Sequence, residues 1–158
     1  NPAGKLPVTF YASDADLPDF GDYDMPGHTY RYFQGKPLFP FGHGLSFSKF
    51  KYRRARIKDG IMRIPVKNAS KIDGDEVVQV YVKKADDADG PVMSLRGFKR
   101  VNIKAGKKAI VEIPMSAENI DLFNPETGKM EAAPGKYIIY YGGTSDITKL
   151  RKLKITIK

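Results

Sequence analysis

Cysteine is absent from the 158 residues, which removes disulfides, a thiol nucleophile and any Cys-based metal site in one step. Its absence does not assign a compartment, since a cytoplasmic chain and an exported bacterial one can both lack it. Two histidines, His28 and His43, stand too far apart for a His-based metal site, and each reads as a packed or surface residue. No apolar run approaches the ~18 residues that a transmembrane helix needs. The chain opens Asn1-Pro-Ala-Gly-Lys-Leu-Pro with neither Met nor a signal-peptide pattern, and reads as cut from within a longer polypeptide. No sequence repeat is present, and no stretch after Phe47 holds a 3.6-residue period beyond one turn starting at Ser116.

What remains is ample for a core. Hydrophobic residues make up 41%, with nine Tyr and nine Phe, enough for one ordinary domain plus an appendage. The net charge of +9 is uneven. Residues 1–44 hold three basic groups (Lys5, Arg31, Lys36) against five Asp, giving −2, so residues 45–158 hold 24 basic against 13 acidic, giving +11. This balance bears on solubility and on polyanion partners, not on fold.

One stretch organises the rest. Gly27–Phe47, GHTYRYFQGKPLFPFGHGLSF, sets Tyr30, Tyr32, Phe33, Phe39, Phe41, His43 and Phe47 among four glycines and two prolines. Pro37 and Pro40 exclude a helix around them and push their preceding residues into extended backbone. The sequence predicts an extended aromatic strap that cannot bury its own rings and must lie on something larger. Before it, Leu6–Phe10 reads as a short strand, an orphan unless a partner supplies its ladder. Residues 11–26 read as a polar connector. Asp14 and Asp16 there have the spacing of a calcium loop but neither its Gly nor its Glu, so solvated turn carboxylates are the expectation and no metal is assigned.

From Phe47 the texture becomes short alternating runs between turns. Phe50–Ile57 reads as one strand, closed by the hairpin dipeptide Asp59-Gly60. Ile61–Lys67 follows, sent towards a sheet edge or bulge by Pro65. Glu76–Lys83 alternates cleanly with Val78, Val80 and Val82 on one face, and reads as central. Leu95–Ile103, with Leu95 and Phe98 inward and a bulge at Gly97, is followed by Lys108–Met115. An Asn124–Gly128 turn comes next, then Lys136–Tyr141 and Leu153–Lys158. Seven to nine such strands with turns every ~8–12 residues predict an all-β, antiparallel β-sandwich.

The set Gly4–Phe10, Tyr23-Asp-Met25, Gly27–Phe33, Gly35–Phe47, Glu76–Val82, Leu95-Arg-Gly-Phe98 and Pro134-Gly-Lys-Tyr137 resembles the C-terminal end of glycoside hydrolase family 3 β-glucosidases and β-xylosidases, in order and over nearly the whole chain. The resemblance implies a layout: residues 1–12 as the last strand of an α/β sandwich domain, 13–46 as an extended linker, and 47–158 as a fibronectin type III-like β-sandwich. It departs from the family at His28, where Arg is usual, and at His43, where Tyr is usual; the first puts in doubt an ion pair from that position to a neighbouring domain. The family is retaining, which requires two carboxyls ~5–5.5 Å apart. Both of its catalytic positions would lie upstream of Asn1, so the resemblance assigns no catalytic residue here and implies a non-catalytic module of a parent hydrolase, located in the periplasm or outside the cell.

Within the chain itself, acidic residues fall in turns or on solvent faces, and Ser46 and Ser48 near His43 do not form a nucleophile elbow. The basic run Lys51–Lys58 reads as a strand with Tyr52, Arg54 and Arg56 on one face and its charges solvated, and not as a nucleic-acid groove. Asn68-Ala-Ser70 is a formal glycosylation sequon. Two roles stay open. One is docking on the catalytic domains of the same parent, with Tyr30, Arg31, Tyr32, Phe33, Phe39 and Phe41 as contacts. The other is a module that binds plant cell-wall polysaccharide or a polyanion, with Tyr137, Tyr140 or Tyr141 as stacking rings. Neither reading calls for a cofactor, a nucleic acid or a membrane.

Overall fold

The computed structural model describes residues 1–124 and 127–157. Two antiparallel sheets face each other. In the first, β3 (Ile61–Asn68) is central, flanked on one side by β1 (Phe50–Tyr52) and β2 (Arg56–Lys58) and on the other by β6 (Lys108–Pro114). In the second, the order is β10 (Arg151–Ile157), β9 (Gly135–Gly142), β4 (Gly74–Lys84) and β5 (Ser94–Ile103). A one-turn helix, Ala117–Ile120, leads to a small hairpin of β7 (Leu122–Asn124) and β8 (Lys129–Glu131). The all-β sandwich is therefore present, with Val78, Val80 and Val82 of the central β4 at 1% exposure or less against Met62, Ile64, Val66, Val111 and Ile113. Asp59 and Gly60 take φ of 54° and 69°, the left-handed pair that a two-residue hairpin between β2 and β3 requires.

Four expectations are corrected. Pro65 does not send its strand to an edge, because the neighbouring strand breaks instead. Phe50–Ile57 is two strands, and the register to β3 shifts between Tyr52↔Val66 and Arg56↔Arg63, opposite Pro65. The Arg53 amide still donates to the Pro65 carbonyl at 2.9 Å, but Pro65 has no N–H to return. The Tyr141 hydroxyl fills that gap: it donates to the Arg53 carbonyl at 3.1 Å and accepts from the Ala55 amide at 3.0 Å. The break also changes parity, so Tyr52, Ala55 and Ile57 turn inward while Arg54 and Arg56 stay in solvent. Phe98 likewise points out, at 68% exposure. A bulge places Val80 opposite Gly97 but Tyr81 opposite Leu95, so Arg96 is the extra residue and Gly97 faces Ile113.

The outer face of the second sheet is covered too. Tyr81, Met93 and Tyr140 form a second buried cluster under Tyr30 and Phe41 of the strap, with Val92, Leu95, Ile138 and Leu150 around it. The first ten residues are not an orphan strand. Leu6 exchanges backbone hydrogen bonds with His43 and Gly42, both 2.8 Å, and Phe10 does so with Phe39 and Leu38 at 2.9 and 2.8 Å. The Asn1 side chain ties this segment to Ser48, to the Asp73 carbonyl, to Ser46 and to the Phe47 amide. Lys5 reaches the Gly143 carbonyl at 2.9 Å and the Glu76 carboxylate at 3.2 Å, and the Tyr52 hydroxyl donates to the same carboxylate.

Tyr141→Phe leaves the Arg53 carbonyl and Ala55 amide without their partner, and is expected to cost about 1–3 kcal/mol in urea denaturation with the fold unchanged. Burial holds the Glu76 carboxyl above the usual carboxylate range, with Lys5 pulling it back down. A carboxyl raised in this way stabilises the fold below its unfolded pKa and loses that contribution as pH rises through its folded value; Lys5 limits the loss. Lys5→Met is therefore expected to destabilise by roughly 2 kcal/mol at pH 7–8 and by clearly less near pH 4, read from denaturation midpoints at the two pH values.

Candidate functional site: the strap and its outward face

The strap is held by a polar clamp that the strand pattern hides. Gln79 sits between valines on the face of β4 opposite the main core, where alternation predicts solvent, yet it is only 3% exposed. Its amide donates to the carbonyls of Gly42 at 3.2 Å and Gly143 at 3.0 Å and accepts from the Tyr81 hydroxyl. Burial, and next the adjacent Tyr30, push the Tyr81 hydroxyl far above its ordinary range, so it remains a proton donor. Gly42, at φ +73°, lies directly on the Gln79 amide, and Gly44 on the Gly4 carbonyl; a Cβ at either would collide. The Ser145 amide completes the attachment by donating to the Phe41 carbonyl at 2.9 Å. A lone Gln inside Val77-Val-Gln-Val-Tyr-Val82 was the one available signal for this clamp.

The six docking candidates separate into three places. Tyr30 and Phe41 stack at 4.3 Å between ring centroids, with Tyr30 edge-on to Tyr81 at 5.8 Å and its hydroxyl accepting from the Leu95 amide at 3.0 Å. Both are spent largely on the chain's own sheet. Arg31 and Tyr32 stand at the mouth of a cavity of about 500 Å3, with the guanidinium 5.6 Å from the Tyr32 ring centroid and the Arg31 carbonyl accepting from the Val92 amide. They belong to a one-turn helix, Thr29–Tyr32, which the extended-strap expectation did not include. It begins at Thr29 with φ 53°, a costly conformation for a β-branched residue, held by the Tyr11 hydroxyl on its amide. Phe33 packs edge-on against Tyr11 at 4.8 Å.

Phe39 lies elsewhere, 41% exposed, edge-on to Phe10 and tilted against His43. Pro2, Leu6, Phe10, Phe39 and Leu45 line a shallow apolar groove of about 580 Å3 beside the chain's first residues. Within residues 17–25, Phe20 is 99% and Tyr23 90% exposed. The buried Thr9 Oγ1 and His28 Nε2 have no hydrogen-bond partner among the described residues.

The stacking candidates take a different course. Tyr137 and Tyr141 face the main core and Tyr140 faces the strap, leaving all three at 8% exposure or less. Strict alternation does turn Tyr140 outward, but the strap covers it, so none of the three offers a ring to a flat ligand. The sequon is also spent. Asn68 is fully buried, and its amide donates to the Ile72 and Ile103 carbonyls at 2.8 and 2.9 Å while accepting from the Ser70 amide. Lys51, Arg53, Arg54, Arg56 and Lys58 are all exposed along a strand margin. No three His, Cys, Asp or Glu side chains among the described residues are grouped to hold a metal, and no helix among them is long and apolar enough to cross a membrane.

Comparison with known proteins agrees with this architecture. Residues 76–145 match the fibronectin type III-like domain family. The chain is 46% identical to a xylan 1,4-beta-xylosidase of Xylanibacter ruminicola, an alignment that takes in 99% of this chain and 19% of that protein. It is 29% identical to a periplasmic beta-glucosidase of Salmonella typhimurium, over 90% of this chain and 21% of that one. Among solved structures, DesR, a beta-glucosidase from Streptomyces venezuelae in complex with D-glucose, superposes with a TM-score of 0.84 at 27% identity, over 99% of this chain and 23% of that one. The chain spans about a fifth of the length of these relatives. The chain thus carries a fibronectin type III-like domain, and over nearly its whole length it is similar to a part of the β-glucosidases and β-xylosidases of glycoside hydrolase family 3.

Proposed function

We propose that this chain is a non-catalytic module of a retaining β-glycosidase that hydrolyses terminal β-glucosides or β-xylosides, and that it docks on the catalytic domains of that enzyme and stabilises them. The observation that carries this reading is the apolar groove of Pro2, Leu6, Phe10, Phe39 and Leu45. It lies at the first residues of a chain that spans only about a fifth of its relatives, so most of such a protein remains to cover it. Leu45 at 76% and Phe39 at 41% exposure make few contacts within the sandwich, and large apolar rings in contiguous exposed groups mark contact surfaces. Phe20 and Tyr23 are further large rings left exposed.

Of the six docking candidates, Phe39 is the one in the groove, with Arg31, Tyr32 and Phe33 further along the strap. Tyr30 and Phe41 act at one remove, by fixing the strap that presents the others. The layout of residues 1–12 as the end of a preceding domain, 13–46 as linker and 47–158 as sandwich fits a segment that contacts both bodies. A periplasmic or extracellular location is part of the proposal, supported by the name of the Salmonella relative.

Leu45→Asp separates docking from folding. In the 158-residue chain it is expected to leave the thermal midpoint unchanged, because the side chain is already in water. In the full-length enzyme it places a carboxylate in a buried apolar contact and is expected to lower the midpoint by several degrees, consistent with a loss of about 1.5–3 kcal/mol or more. Equal midpoints for parent and variant in the full-length enzyme would remove the groove from the interface.

A further inference from the structure

The outer face of the first sheet carries more like charge than the fold requires. The strap lies over the second sheet, where Tyr30 and Phe41 cover Tyr81 and Tyr140. Side chains that point outward from β1, β2, β3 and β6 are exposed or half-buried. Backbone register sets them in rows. Lys51, Lys67 and Lys108 stand directly opposite one another on three adjacent strands. Two residues along, Pro65 is paired with Ile110, which is 67% exposed. Next come Arg56, Arg63 and Glu112, and after them Lys58, Ile61 and Pro114.

These rows set six cations against one carboxylate. Glu112 is taken by Arg63 at 2.9 Å, and none of the other five cations has an ion pair among the described residues. Like charges directly opposite on a sheet destabilise it, because their Cβ atoms lie only ~4.5–5.5 Å apart. Charge on an edge strand guards against unwanted pairing, which accounts for Lys51, Arg56 and Lys108. It does not account for Lys67 and Arg63. Both are on the central β3, each with a like charge directly opposite on a neighbouring strand. A self-repelling surface of this kind is relieved by a polyanion laid across it.

The pattern narrows the partner. Cationic rows alternate with rows bearing Pro65 and Ile110, then Ile61 and Pro114, so that like rows repeat every ~13 Å along the strands. A polymer that fits carries carboxylates in series with apolar patches between them, as a chain of uronate sugars does with its C–H ring faces. No aromatic side chain stands in these rows, so the face has no ring on which a nucleic-acid base could stack.

We propose that the outer face of the first sheet binds an acidic, uronate-bearing polysaccharide, with Lys51, Lys67 and Lys108 against its carboxylates and Ile110 against its sugar rings. This does not rest on the docking reading, since the face shares no residue with the apolar groove.

Polygalacturonate titrated into the 158-residue chain tests it, with duplex DNA and polyglutamate as competing polyanions. Saturable binding is expected, weakened by added salt and tighter for polygalacturonate than for either competitor. Lys51→Gln combined with Lys108→Gln removes two exposed charges and is expected to weaken binding about fivefold, while the thermal midpoint holds or rises as repulsion is relieved. Lys136→Gln combined with Lys154→Gln takes the same charge from exposed positions on the second sheet, and is expected to change the affinity less than about twofold. Ile110→Ser leaves the charge unchanged, and is expected to weaken polygalacturonate binding several-fold without altering polyglutamate binding. Absence of saturable binding, equal losses from the two double variants, an Ile110→Ser chain that binds like the parent, or tighter binding of DNA or polyglutamate would each overturn the proposal.

Discussion

The face of β4 that carries Gln79 and Tyr81 cannot be left in water, and the arrangement of the first 46 residues follows from that constraint. Val78, Val80 and Val82 are covered by the opposite sheet, as in any two-layer sandwich. The other face has no second sheet, yet Tyr81 is fully buried and Tyr140 nearly so. Covering a large ring contributes about 1.5–3 kcal/mol, and a stacked pair such as Tyr30–Phe41 adds about 0.5–1.5. Those gains favour seating a strap that has no core of its own. The Gln79 amide then sets its position, because only the carbonyl of a glycine at Gly42 can approach that closely.

Once the strap is fixed, the remaining features fall into place. It supplies hydrogen-bonding partners to Leu6 and Phe10, so the first ten residues are drawn onto the sandwich and not left as an unpaired edge. Its one-turn helix closes one side of the cavity beside Arg31, and its last residues close one side of the apolar groove. The module thus has an outward face built mostly from a segment that lies outside the two sheets. Function in such folds resides in the sites grafted on the sandwich.

Much of the sandwich was legible in the sequence, because strand alternation and turn dipeptides are local signals. The β2–β3 hairpin at Asp59-Gly60, the central β4 and the bulge beside Gly97 all lie where periodicity and turn chemistry place them. Pro65 pointed to an edge or a bulge, and only the irregularity is present: its missing donor is a local fact, but Tyr141, 76 positions further along the chain, bridges the break in the neighbouring strand and β3 stays central. Phe98 was misread because a single bulged residue inverts the faces beyond it. At the strap, aromatic density correctly signalled a segment needing a partner. Alternation could not tell that the partner for Tyr30 and Phe41 is the chain's own sheet, nor that a strap would cover Tyr140. The Lys5–Glu76 pair joins positions 71 residues apart and left no trace in local pattern.

Backbone hydrogen exchange on the dilute 158-residue chain tests the central claim, that the strap and first ten residues are part of the folded module. The amides of Leu6, Phe10, Gly42, Leu95 and Ser145 each donate a hydrogen bond that exists only if these segments are seated. The account predicts that they are protected well above random-coil rates, while the amides around Phe20 and Tyr23 exchange freely. Random-coil exchange at Leu6, Phe10 and Gly42, with β4 and β9 still protected, would contradict it: the outer face of β4 would then be uncovered in the isolated chain and the strap would fold only on another body.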